Sequence, residues 1–301
     1  MTSQFVPTST FMGIPQSRDF SRSKAVILGL PFDCGVHPHR IGARLGPAAI
    51  REQSRMMVPI DPATNLNAID MLSAVDAGDA AVTPGVIEPS YEAIEAAIHE
   101  IASAGAISIT LGGDGAIVLP EIRALHRVYH DLVTIHVDAH TDAYPIPGFN
   151  TATAFSRAAE EGVVDTSRSF HVGLRGNVSV PNVYEHCREL GYSTTAMRDL
   201  RRRGVTDVFN EIADTIGSRP VYFCFDMDFF DPSIAPGVCT PTWGGGTAEE
   251  GFAIIEACSR LNIVGCDVNT ISPPHDTAGM SAHLAAAVVV HILNSISRRR
   301  T

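Results

Sequence analysis

Apolar and polar residues alternate along this chain in two patterns. Short, almost wholly apolar runs such as AVILGLPF, which begins at Ala25, predict buried β-strands. Between them, apolar residues recur at helical spacing, as in the segment with Ile94, Ile98 and Ile101 that ends at Gly105. Another helix is predicted to start at Pro47, where the missing N–H costs nothing. This alternation is typical of an α/β protein whose mostly parallel sheet is covered on both faces.

The same two patterns continue to the end of the chain. Further predicted strands are AISITLGG, LVTIHVDAH, SFHVGLRG, PVYFCFDMD and NIVGCDVN, and further predicted helices are AIVLPEIRALHRVY, TDVFNEIADTIG, AEEGFAIIEACSRL and SAHLAAAVVVHILNSIS. Residues 1–23 are rich in hydroxyl side chains and are expected to form an N-terminal arm or lid. Residues 24–301 are expected to form a single domain, with its site at the carboxyl ends of the strands.

Composition limits the possible partners more than it changes this fold. Of the 301 residues, 45% are apolar and 18% are charged, which favours a substantial core over disorder. The formal net charge of −11 argues against nucleic acid and anionic membranes, and we expect neither as a partner.

The six cysteines show no C-x-x-C pair and no metal-ligand spacing. They are expected to be buried, reduced thiols. No apolar run reaches the ~18 residues that a membrane span needs, and no basic segment leads into an apolar one as in a secretory signal. We therefore expect a cytoplasmic protein.

Acidic and imidazole side chains follow two of the predicted strands. Asp138, His140 and Asp142 stand at alternating positions in HVDAHTD, and Asp226 and Asp228 are two residues apart in CFDMDFFDP. Alternate side chains of an extended segment point to the same side, so each group can reach one point. A single such aspartate is commonly a turn or cap residue, but two clusters would repel each other without a positive ion. They predict a site for a divalent metal such as Mn, Fe, Ni or Zn.

The turn LGGDG follows another predicted strand, but it has no reactive side chain after its acid. Residue 115 is glycine, and the spacing matches neither glycine-rich nucleotide loop, so phosphate binding is not expected. His37, His39 and Trp243 lie in loops that could line the rim of a site. Packing of the loops themselves explains these three residues equally well.

Taken together, these residues resemble the ureohydrolase family of arginases, agmatinases and related amidinohydrolases. The resemblance covers about residues 24–295 and includes, in order, GLPFDCG, RIGARLGPAAIR, LGGDG, VDAHTD, VGLRG, FDMDFFDPSIAPG and DVNTISPPHDTAG. It implies an arginase-like, three-layer αβα fold and an assembly of trimers or hexamers. It also implies a binuclear Mn or Ni centre that makes hydroxide available at neutral pH for attack on a guanidinium carbon.

The resemblance implies six metal ligands. Five of them stand in this sequence as Asp138, His140, Asp142, Asp226 and Asp228. The sixth is the histidine of the family's G-G-D-H turn, and here it is Gly115, which has no side chain to coordinate with. Its neighbour Ala116 offers no donor either. We expect either a single ion, held by Asp138, His140, Asp226 and Asp228, or no ion at all in this chain.

Two further positions depart from the family pattern. A histidine that acts in proton transfer aligns with Thr151, and an acid that binds the substrate guanidinium aligns with Thr270. Losing a general acid or base typically costs 10²–10⁴ in rate. With Gly115, these are three losses in three separate loops.

These losses predict a chain that keeps the fold but lacks ordinary ureohydrolase activity by itself. The first hypothesis is a non-catalytic or structural subunit of a hetero-oligomeric amidinohydrolase that acts on a guanidine or biguanide compound, beside a catalytically complete homologue. This organisation resembles that of the two-chain metformin (biguanide) hydrolases. The second is a divergent metal-dependent amidinohydrolase, active by itself on an unusual guanidine-type substrate. The third is a small-molecule sensor that uses the old pocket.

Four histidines are candidates to replace the missing ligand: His37, His39, His136 and His275. Of these, His136 lies in the strand just before Asp138 and shares its side by parity. We expect it to be a packed core residue instead.

Overall fold

The structure, a computed structural model, describes residues 10–35 and 39–299. Its strands are β1 (Ala25–Gly29), β2 (Ile60–Asp61), β3 (Leu66–Asn67), β4 (Val75–Asp79), β5 (Ile107–Leu111), β6 (Val133–Val137), β7 (Phe170–Leu174), β8 (Ser193–Ala196), β9 (Pro220–Asp226) and β10 (Asn262–Asn269). Strands β2 and β3 form an antiparallel pair. The other eight form one sheet in the order β4-β1-β5-β10-β9-β6-β7-β8, with every neighbouring pair parallel.

Helices cover both faces of this sheet. They are α1 (Gly46–Ser54), α2 (Ala68–Leu72), α3 (Ile87–Ser103), α4 (Val118–His126), α5 (Ala154–Glu160), α6 (Val183–Glu189), α7 (Met197–Arg203), α8 (Val205–Ile216), α9 (Ala248–Ala257) and α10 (Met280–Arg299). Alternate residues of β1 enter two separate apolar clusters: Ile27 packs in the cluster of α10, and Val26 in the cluster of α3. The predicted three-layer αβα fold with a mostly parallel sheet is confirmed.

The last helix, α10, is the one described helix whose length and apolar composition would suit a membrane span. More than half of its most apolar stretch is buried, and Val289 and Ile292 are fully or almost fully enclosed. Burial of this kind is typical of a core helix.

The cysteines lie largely as predicted. Cys34 is partly exposed, and the other five are buried free thiols: Cys187, Cys224, Cys239, Cys258 and Cys266.

The expected N-terminal arm is only partly within the described residues, which begin at Thr10. The side chains of Phe11 and Ile14 are buried in the core. The amide of Phe11 donates to Asp76 Oδ2 at 2.8 Å, and the guanidinium of Arg51 donates to the same carboxylate at 2.9 Å. The start of the described segment is therefore anchored to the core, while residues 15–19 are largely exposed. The N-terminal arm and its boundary at residue 23 stay predictions.

The central strands determine where the polar strand ends meet. In the pairing of β6 with β9, Val137 lies opposite Phe225, so the residues that follow, Asp138 and Asp226, leave the sheet side by side. In the pairing of β10 with β9, Asn269 lies opposite Asp226. The carboxyl ends of three adjacent strands thus form one edge, on which the candidate site is built.

Candidate metal centre

Each of the two leading aspartates caps the turn that presents the next polar residue. The carboxylate of Asp226 accepts a hydrogen bond from the amide of Asp228 at 2.8 Å, at the start of a 3-10 turn. In the same way, Asp138 Oδ1 accepts from the amide of His140 at 2.8 Å. The second acid and the imidazole therefore fold back towards the strand ends, as the alternating spacing predicts.

Asp138, His140 and Asp228 form the first compact group. His140 Nδ1 lies 3.3 Å from Asp138 Oδ1 and 3.2 Å from Asp228 Oδ2. Their potential ligand atoms all lie within 4.8 Å of one another. Both carboxylates are buried, and only the imidazole reaches towards solvent. This group joins side chains from both predicted clusters.

A second group contains His136, Asp138 and Asp142, with ligand atoms that also lie within 4.8 Å of one another. His136 Nε2 is 2.9 Å from Asp138 Oδ2, and its Nδ1 is 2.9 Å from Nδ1 of His171. The ring of His136 also packs against Phe155. His136 is thus a buried core residue, as expected, but it also contacts a predicted ligand. Its place two residues before Asp138 was the signal in the sequence.

Asp226 lies outside both groups formed by the described residues. Its Oδ1 accepts from the amide of Asp228 and from the hydroxyl of Thr270. Thr270 has a left-handed backbone conformation, with φ of 63°, and its amide donates a hydrogen bond to the carbonyl of Gly113. Thr270 stands where the family's guanidinium-binding acid is expected. Its hydroxyl therefore contacts Asp226, a predicted metal ligand.

Gly115 and Thr151, far apart in the sequence, meet beside Asp142. An ideal Cβ built on Gly115 would lie 2.9 Å from Thr151 Cγ2 and 3.1 Å from Asp142 Oδ2. The structure therefore brings both altered positions together at Asp142, which belongs to the second group and not to the Asp138–His140–Asp228 group.

Burial dominates the electrostatics of three of the four carboxylates, while neighbouring histidines outweigh burial at the fourth, Asp138, and lower its pKa well below the usual value. Burial raises the pKa of Asp142 and Asp226 well above the usual value, and the charge of Asp138 adds to the shift in both. Burial and the charge of Asp138 raise the pKa of Asp228 to about 6. The carboxylates therefore resist being charged together in this enclosed space.

His140 behaves in the opposite way. Burial lowers the pKa of its imidazole, but Asp228 and Asp138 outweigh burial and raise that pKa well above its usual range. The nearby Arg175 does not neutralise the cluster by an ion pair, because its guanidinium donates to backbone carbonyls, including that of Asp228 at 2.6 Å. A buried excess of carboxylates with imidazole beside it is the environment that a divalent cation stabilises, so the Asp138–His140–Asp228 group fits one such ion.

The other candidate residues lie apart from this centre. Trp243 is 74% exposed, although its neighbour Thr242 has Oγ1 3.2 Å from His140 Nε2, so the tryptophan lies at the rim. His39 is exposed, and His37 lies outside the described residues. His275 Nδ1 is 2.8 Å from Ser272 Oγ in a local turn, and the residue belongs to neither group.

Known proteins are similar to this chain over nearly its whole length. Residues 23–294 match the arginase family. The human mitochondrial guanidino acid hydrolase is 32% identical over 299 residues, which cover 98% of this chain and 85% of that protein. The guanidinopropionase of Pseudomonas aeruginosa is 33% identical, with 96% of this chain and 92% of that protein covered. The chain therefore belongs to the arginase family of ureohydrolases, with agmatinases and guanidino acid hydrolases among its relatives.

Solved structures agree with this assignment. The proclavaminate amidino hydrolase of Streptomyces clavuligerus superposes with a TM-score of 0.93 at 28% identity, covering 99% of this chain and 100% of that one. A Trypanosoma cruzi formiminoglutamase with Mn²⁺ superposes with a TM-score of 0.87 at 22% identity, covering 97% of this chain and 100% of that one, a likeness of fold alone.

Proposed function

We propose that this chain is a non-catalytic subunit of a hetero-oligomeric amidinohydrolase, on the scale of a trimer or hexamer. Its partner would be a catalytically complete arginase-family chain, and the assembly would act in the cytoplasm on a guanidine or biguanide compound. Relatives named guanidino acid hydrolase and guanidinopropionase support a guanidine-type substrate for the assembly.

The observation that carries this proposal is the difference between the two sides of the candidate centre. On one side, Asp138, His140 and Asp228 gather around a point that fits one ion. On the other side, Gly115 offers no ligand and the methyl group of Thr151 fills the adjacent space. The second group keeps Asp138 and Asp142, with His136 behind them, but it has no imidazole from position 115. The proposal therefore gives this chain one ion where the family's chemistry uses two.

The lost side chains also bear on substrate binding. Thr270 is neutral, and its hydroxyl is already bonded to Asp226, so it cannot pair with a substrate guanidinium. Burying a substrate guanidinium without an acidic partner weakens binding. The loss is about 3–5 kcal/mol of binding free energy when one partner of a buried ion pair is removed. Thr151, whose Oγ1 lies 3.7 Å from Cys34 Sγ, has no group that accepts a proton near neutral pH.

The intact side still has a chemical capacity. Asp138, His140 and Asp228 would hold one Mn²⁺ or Ni²⁺ ion, with His136 orienting Asp138 from behind. When bound, such an ion lowers the pKa of its water so that hydroxide becomes available near neutral pH. This observation favours the second candidate function, a divergent amidinohydrolase that is active by itself on a substrate needing no acidic partner at position 270.

The deciding experiment compares the purified chain alone with the same chain co-expressed with an arginase-family chain encoded by a neighbouring gene. Release of urea or a related amide is measured with agmatine, 4-guanidinobutyrate and a biguanide, after reconstitution with Mn²⁺ or Ni²⁺. Light scattering gives the mass of each assembly, and elemental analysis gives its metal content.

We expect no turnover above background from the chain alone and a mixed assembly that is active on at least one compound. Turnover by the isolated chain comparable to that of the assembly would exclude the non-catalytic role and establish the divergent enzyme. Failure of the two chains to associate would exclude the hetero-oligomer.

A further inference from the structure

Gly115 is a glycine that its own backbone does not require. It begins the 3-10 helix Gly115–Ile117, whose first turn is capped by Asp114, with Oδ1 accepting from the amide of Ala116 at 3.2 Å. Its φ is not in the left-handed range that favours glycine. Gly113 differs, because a Cβ there would lie 1.9 Å from the carbonyl oxygen of Phe32. The backbone conformation at position 115 is therefore one that residues with a side chain also adopt.

Space, rather than conformation, restricts position 115. The 2.9 Å separation between an ideal Cβ and Thr151 Cγ2 is shorter than two carbon atoms tolerate. The 3.1 Å separation between the same Cβ and Asp142 Oδ2 is also shorter than an ordinary van der Waals contact. Gly115 and Thr151 are both buried, so neither can move into solvent. The obstructing methyl group belongs to a β-branched side chain with few rotamers.

Thr151 has little freedom to turn away. It begins the 3-10 helix Thr151–Thr153, which Asn150 caps, and the backbone amide of Asn150 donates to Thr153 Oγ1 at 3.1 Å. Its hydroxyl lies 3.7 Å from Cys34 Sγ, so the methyl group is the part of the side chain that faces Gly115.

We propose that Gly115 and Thr151 form a steric pair that closes one side of the metal centre. The wild-type chain then binds a single divalent ion, at Asp138, His140 and Asp228, and a histidine placed at 115 supplies a second ion site only when Thr151 is shortened. The ion count rests on the proposed function in so far as both treat this cluster as a metal centre. The steric pair does not depend on whether the chain is catalytic.

The test is a double-mutant cycle on the full chain. The variants are G115A, G115H, T151A, G115A/T151A and G115H/T151A, and Tm is measured in EDTA so that metal binding does not contribute. G115A and G115H are each expected to lower Tm by about 2–6 °C, as overpacking of a core does. In the T151A background the same changes are expected to lower Tm by clearly less, because the Thr151 methyl group is gone and only Asp142 Oδ2 remains close.

The second readout is Mn²⁺ bound per chain, by calorimetric titration and elemental analysis after dialysis. We expect one ion for the wild type and for G115H, and two for G115H/T151A. G115A/T151A is the matched control for space without imidazole and should bind one.

Several outcomes would overturn the proposal. If G115A costs as much in the T151A background as alone, Thr151 is not the obstacle. If G115H alone binds two ions without loss of Tm, the side is not closed. A wild-type chain with no ion, or G115H/T151A with only one, refutes the metal count even where the Tm cycle shows coupling. None of these readouts measures turnover, so each is separable from failure of the non-catalytic role.

Discussion

The two sides of the candidate centre are built differently. Asp138, His140 and Asp228 lie where two parallel strands end, and short turns capped by the leading acids hold them. Gly115 and Thr151 lie at the starts of two helical turns that face each other across a packed contact. The strand-end side brings its donors close together, while the turn side places a glycine and a methyl group in close contact.

The largest test of this contrast is the loss of a ligand on each side. Asp138 belongs to both compact groups, so Asp138→Asn should weaken Mn²⁺ binding by at least about 100-fold, beyond what orienting residues cost. Asp142 belongs only to the group with His136, so Asp142→Asn should weaken Mn²⁺ binding by less than about 10-fold. Isothermal titration calorimetry with Mn²⁺ measures both.

Thermal unfolding in EDTA is the control for this pair. Asp142→Asn should not lower Tm without metal, because burial raises the pKa of that carboxylate. Asp138→Asn should lower Tm without metal, because two neighbouring histidines hold the pKa of Asp138 well below its usual value and so stabilise its charged form in the fold. Equal losses of Mn²⁺ affinity in the two variants would contradict the contrast between the sides.

A second carboxylate pair, within the core, sharpens the comparison, because it belongs to neither of the two candidate metal groups. Glu121 and Asp267 are fully buried, and the hydroxyl of Thr110 donates to Glu121 at 3.0 Å. Burial and the charge of Asp267 raise the pKa of Glu121 well above its usual value. Such a raised pKa stabilises the fold fully below the unfolded-state pKa of about 4.3, and this contribution is lost as pH rises through the folded-state pKa.

Glu121→Gln removes this loss, because the amide stays neutral. Its Tm relative to wild type should therefore rise as pH increases, reaching about 4 °C or more above wild type at pH 9. Thermal denaturation from pH 5 to 9 in EDTA measures the trend. Glu52→Gln, at an exposed position of α1, is the control and should show no such trend. A Glu121→Gln curve parallel to wild type would mean that Glu121 is charged in the fold.

The smallest expected effect tests whether Thr270 competes with metal for Asp226. Its hydroxyl and the amide of Asp228 both donate to Asp226 Oδ1. Thr270→Val keeps the β-branched shape and removes one donor, which frees a lone pair on that oxygen. Mn²⁺ should bind about 2- to 10-fold more tightly, the size of one net hydrogen bond. Weaker binding in the same titration would show instead that Thr270 orients Asp226.

Strongly patterned elements were predictable, and polar or short ones were not. Helices α3 and α10 and the apolar strands β5 and β9 follow directly from their periodicity. Strands β4 and β8 escaped prediction, because they lie at the two edges of the sheet and carry polar residues, as in VDAGD and STTA. Edge strands need bury less apolar surface, so the periodic signal is weak there.

The sequence by itself determined the family, the parallel sheet and the five candidate ligands, because strand parity and motif spacing are local properties. It also showed that residue 115 has no donor. Only the tertiary structure decided that His136 contacts Asp138, that Thr270 faces Asp226 and that Thr151 fills the space beside Gly115. Those contacts join loops and strands far apart in the chain, and their distances depend on how the layers pack, which no local pattern encodes.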